Sequence, residues 1–101
     1  MIAEFSVVPV GAGEELAGPV AAIVDIIDRS GLPYQLTAMG TLVEGDWEAV
    51  LGLIRECHLR MRRDFPRVLT RISIDDRKGA AGRLAGKVTD VEKALGRSVR
   101  R

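Results

Sequence analysis

The stretch YQLTAMGTLVEGD, residues 34–46, decides how the rest of the chain is read. Residues 33–39 read as one strand and residues 41–45 as the next, with Gly40 between them as a tight hairpin or a bend in one ribbon. Asp46 follows directly as a helix N-cap, with Trp47 and the acidic Glu48 in the first turn. A hairpin that runs straight into a helix is the middle of a larger unit. The flanking segments say which one.

Upstream, residues 18–30 read as a helix. Val20, Ile23, Val24 and Ile27 recur at i, i+3, i+4 and i+7, Pro19 sits in the first turn, and Gly31 is the left-handed cap. Before it, residues 2–10 alternate: Ala3, Phe5 and Val7 take one face, and Glu4, Ser6 and Val8 the other. Downstream, residues 46–65 form the strongest helical stripe in the chain, from Trp47 through Val50, Leu51, Ile54, His58 and Met61 to Phe65, ended by Pro66. Residues 67–75 alternate again. Leu84, Val88, Val91 and Leu95 mark a short C-terminal helix ending at Gly96. The order is βαββαβ with one extra helix. This predicts an α+β, ferredoxin-like sandwich: a four-stranded antiparallel sheet with two helices on one face.

Length and composition bound the rest. The 101 residues suit a single domain spanning 1–101 that buries its own core. Hydrophobic residues make up 47% and charged residues 29%, which excludes a disordered or collagen-like chain. Residues 1–10 carry Glu4 and no Lys or Arg, unlike a signal peptide, and no apolar run is long enough for a membrane span. A single cysteine, Cys57, forms no internal disulfide, and the expected location is cytoplasmic. A net charge of +1 and four aromatic residues argue against nucleic acid as a partner.

Few motifs carry chemistry. Gly11-Ala12-Gly13 lacks the third glycine of a dinucleotide loop, and Glu14 and Glu15 would repel a pyrophosphate. Cys57 and His58 are adjacent on a helix, so their side chains diverge, and neither a metal-ligand set nor a nucleophile–base pair exists. His58 on the apolar stripe reads as a satisfied rim histidine, and Trp47 as core. Asp75-Asp76 beside Arg77 and Lys78 reads as a solvated turn. Arg55, Arg60, Arg62, Arg63 and Arg67 read as a solvated helix face, with an acidic partner as the functional alternative. The sheet face turned away from the helices mixes Glu4, Ser6, Val8, Leu42, Glu44, Leu69, Arg71 and Ser73. Such a surface suits self-association or a small-ligand pocket.

The hairpin Y-x-x-x-x-M-G-T-x-x-E-G of residues 34–45, the V-P-V-G end of the first strand, R-V-x-T-x-x-x-I-D-D-R from Arg67 to Arg77, and Lys87-Val88 together resemble the small thiamine-binding, YkoF-like family. The resemblance covers nearly the whole chain. It implies the ferredoxin-like fold, a homo-oligomer (dimer or tetramer) and no established catalytic activity; with no catalytic constellation or metal-ligand set among the residues, a non-enzyme without cofactor or metal is expected. The ligand it implies is thiamine or its hydroxymethylpyrimidine half. Carried over from the motif, Thr41 and Glu44 are the expected pocket residues, side by side. Glu4, Ser6, Tyr34, Met39 and Arg71 complete the candidate ligand set. Glu44 or Glu4 would offset the thiazolium charge, Tyr34 or Trp47 would stack on a ring, and Ser6 and Thr41 would bond ring nitrogens. Two rivals remain: an enzyme acting on a thiamine precursor, with Glu44 or His58 as base, and an interaction module using the arginine-rich helix.

Overall fold

A computed structural model describes residues 1–100. Strand β1 (Ile2–Pro9) leads to helix α1 (Ala17–Arg29). The hairpin β2 (Tyr34–Thr37) and β3 (Gly40–Glu44) follows, then α2 (Trp47–Asp64), β4 (Val68–Asp75) and α3 (Arg83–Leu95). The sheet is antiparallel throughout, in the order β2-β3-β1-β4. This is the α+β arrangement expected from the sequence.

The local signals act as their chemistry requires. The Asp46 carboxylate accepts from the Ala49 amide at 2.8 Å and caps α2. Gly31 takes φ +75° just past the end of α1, and Gly96 takes φ +76° at the end of α3. The hairpin turn is Ala38-Met39, so Gly40 is not in the turn but opens β3, paired with Thr37. The Thr37 hydroxyl donates to the Gly40 carbonyl at 2.8 Å and accepts from the Met39 amide.

α1 and α2 pack against one face of the sheet. The core between them joins Ala3, Phe5 and Val7 of β1 and Val43 of β3 to Ile23 and Ile27 of α1 and to Val50, Leu53, Ile54, Cys57 and Met61 of α2. The buried face of α2 is rotated from the expected stripe toward Leu53 and Cys57. Trp47 consequently lies on the rim and is more than half exposed, not core. His58 is a rim residue, half-buried, with Nδ1 2.7 Å from the Thr70 hydroxyl of β4. α3 lies on the opposite side of the sheet, against β3. Among the described residues no helix is long and apolar enough to cross a membrane.

Candidate functional site

Register places each candidate residue on a definite face. Ile2 pairs with Glu44 and Asp75, Glu4 with Leu42 and Ser73, and Ser6 with Arg71. These residues form successive rows on the sheet face away from α1 and α2. The row of Ile2, Glu44 and Asp75 ends that face, and α3 docks on it.

Glu44 is the anchor of this docking. It is 9% exposed. Its Oε2 accepts from the Arg83 amide at 2.7 Å and its Oε1 from the Leu84 amide at 3.3 Å. The N-cap residue of α3, Gly82, has no side chain to offer, so a carboxylate from β3 satisfies the first free amides of the helix and meets the positive end of its dipole. Close to it, Lys87 of α3 forms an ion pair with Asp75 and holds that carboxyl below its usual range. The partners of Glu44 are thus backbone amides and not a basic side chain across the sheet. Arg71 is not the partner, because it lies two rows away, opposite Ser6.

α3 thereby roofs two cavities that share Glu44. The larger, about 650 Å³, runs between α3 and the β2–β3 hairpin, with Gln35, Leu84, Ala85 and Val88 in its walls. The smaller, about 210 Å³, is lined by Ile2, Asp75, Arg77, Arg83 and Lys87. Farther along the same sheet face, an open groove of about 440 Å³ collects Glu4, Ser6, Met39, Leu69 and Arg71.

The seven candidate residues therefore fall into three places. Glu4, Ser6, Met39 and Arg71 share the open groove. Glu44 stands apart from them beneath α3. Thr41 and Tyr34 belong to the other face. Thr41 pairs with Phe5 in the layer that contacts the helices and is 6% exposed, so it is not beside Glu44. Strand alternation requires this: Thr41 has the parity of Val43, and Glu44 that of Leu42. Tyr34 pairs with Val43 and packs against the core. It borders the large cleft, but its hydroxyl donates to Asp28 of α1 at 3.0 Å, and that carboxylate raises the phenol's pKa. The β2 residue on the Glu44 face is Gln35. Gln35, Leu84 and Val88 are absent from the sequence-based set. The apolar spacing of Leu84 and Val88 did signal that α3 needed a surface to cover.

The cysteine is shielded, and three of the five clustered arginines are engaged. Cys57 is fully buried, and desolvation pushes its thiol up to about 12. Arg60 and Arg63 pair with Asp64, which they hold below its usual range, and Arg62 donates to the Phe65 carbonyl. Among the described residues no His, Cys, Asp and Glu cluster could hold a metal ion.

A ferredoxin-like sheet with a small-molecule-sized cleft beneath an added helix defines a class of small α+β proteins. The model of the family described as "Thiamine-binding protein" matches residues 3–92, and the chain belongs to that family. It is 35% identical to a UPF0045 protein of Mycobacterium bovis, covering 94% of both chains. It is 30% identical to the UPF0045 protein MJ1052 of Methanocaldococcus jannaschii, covering 95% of this chain and 92% of that one. A crystal structure of MJ1052 superposes with a TM-score of 0.80 over 94% of both chains. A protein of Thermotoga maritima described as a putative thiamine biosynthesis/salvage protein has the same fold, with a TM-score of 0.78 at 21% identity, covering 89% of this chain and 96% of that one.

Proposed function

We propose that the chain is a non-catalytic binding protein for thiamine or its hydroxymethylpyrimidine half, and that it binds in the cleft between α3 and the β2–β3 hairpin. The observation that carries this reading is Glu44: a carboxylate nine-tenths buried at the base of a cavity of about 650 Å³. An ionised carboxylate has about four lone-pair positions, so the two amides of α3 leave acceptor capacity for an exocyclic amine. Its charge complements a thiazolium. Gln35 can both donate to and accept from ring nitrogens, and Leu84, Ala85 and Val88 supply apolar contact for ring faces. Family membership supports the ligand class.

A non-catalytic role is supported by the separation of the two candidate bases. Glu44 lies on the α3 side of the sheet, and His58 lies on the α2 side, bonded to Thr70. They do not converge on one substrate. The proposal includes assembly as a homo-oligomer, dimer or tetramer, supported by the half-buried Val8 and Leu42 and the exposed Leu69 on the sheet face beyond α3.

Calorimetric titration with thiamine and with hydroxymethylpyrimidine tests the site. Glu44→Gln is expected to weaken binding by about 1.5–3 kcal/mol, the worth of a hydrogen bond to a charged group. Val88→Trp, which fills the cleft, is expected to abolish binding, and Arg71→Ala in the separate groove to leave it unchanged. No heat with the wild type overturns the ligand assignment. Loss of binding in Arg71→Ala alone moves the site to the groove.

A further inference from the structure

Glu44 lines two cavities of different chemistry. The larger holds Gln35 and the apolar residues of α3. The smaller, about 210 Å³, sets three cationic side chains, Arg77, Arg83 and Lys87, against the carboxylates of Glu44 and Asp75. Both carboxylates are already engaged, Glu44 by the first amides of α3 and Asp75 by Lys87. The cations are not saturated. Lys87 has three N–H donors, and one goes to Asp75. Arg83 has five on its guanidinium and gives one to Asp90, at 2.7 Å, which is not in the cavity wall. Arg77 forms no ion pair among the described residues. It is close enough to reinforce Lys87 in holding the Asp75 carboxyl below its usual range.

We propose that the smaller cavity receives the phosphate of a phosphorylated ligand whose cationic ring sits in the larger cleft, with Arg77 as its principal donor. This deepens the function proposed above and rests on it.

The order of charges carries the inference. The carboxylate shared by both cavities meets a positive ring, and the cationic cluster in the smaller cavity meets a negative group. Thiamine ends in a primary alcohol, and the phosphate ester of that alcohol supplies the negative group. A guanidinium gives phosphate oxygens two parallel N–H bonds, whereas a neutral alcohol leaves Arg77 facing only water. The larger cleft has no comparable cluster. Among its described wall residues the one cation is Arg100.

Calorimetric titration with thiamine, thiamine monophosphate and inorganic pyrophosphate tests the proposal. The monophosphate is expected to bind about tenfold more tightly than thiamine, with the ratio falling as salt is added. Arg77→Gln is expected to bring the two affinities within about twofold of each other. Arg77 is exposed on the loop after β4, so its replacement is expected to leave the urea midpoint in place. An ester that binds no more tightly than thiamine overturns the phosphate site and leaves the ring site standing. A preference that survives Arg77→Gln but is lost in Arg100→Gln also overturns it, by moving the phosphate to the larger cleft. Heat from pyrophosphate alone, lost in Arg77→Gln, upholds the phosphate site and overturns the ring site. No heat from any of the three overturns both.

Discussion

Gly40 is held by a close approach. A Cβ built on it would stand 2.7 Å from the Phe5 carbonyl oxygen of the central strand, at a backbone φ of +156°. Gly40→Ala is expected to destabilise the fold by roughly 1–3 kcal/mol, the usual scale of local backbone strain. Urea unfolding of the two proteins measures it, and equal stabilities would show that β1 and β3 can move apart at no cost. The glycine was readable in the sequence, but its role was not. Between two strands it reads as a turn residue, and only the neighbouring strand shows why a side chain is excluded. Thr41 and Glu44 have the opposite lesson. Their separation to two faces follows from alternation alone, since they stand three residues apart in one strand. The motif that links them in sequence does not place them together in space.

Among the elements, α3 depends on the fewest contacts. None of its residues is buried. It is held through Glu44 at its first turn and the Asp75–Lys87 ion pair along its side. The Lys87 ammonium lowers the Asp75 pKa from the ordinary 3.8. A lowered folded-state value means that this pair stabilises fully above 3.8 and loses its effect as pH falls through the lowered value. Acidification well below 3.8 is therefore expected to release α3 before the sheet unfolds. Amide exchange, corrected for intrinsic chemistry, should show protection lost in residues 84–95 while β1 stays protected. Equal loss in both would show α3 and the sheet to be one cooperative unit. The existence of α3 was legible in the spacing of Leu84, Val88, Val91 and Leu95, and the other helices and strands likewise in their periodicity. Its docking was not legible. The cap on Arg83 comes from a carboxylate 39 residues earlier, and no local spacing encodes such a partner.

At the scale of the whole molecule, Cys57 reports on the integrity of the core. It is fully buried among the α2 and sheet residues, with a thiol pushed up to about 12. Iodoacetamide at about pH 8 is expected to modify it only through unfolding, at a rate that rises with urea in step with loss of helix signal. Rapid modification without denaturant would show that α2 lifts from the sheet locally. The sheet order carries a different kind of consequence. β1 is a central strand, flanked by β3 and β4, and β4 comes last of the four in the chain. During synthesis, the strand made first must wait longest for its second neighbour. Phe5 and Val7, which belong to the finished core, stay partly uncovered until residues 68–75 leave the ribosome. Pairings so distant in sequence carry a loop-closure cost before any contact repays it. A newborn chain cut short before β4 therefore presents a sticky half-built sheet to chaperones and proteases.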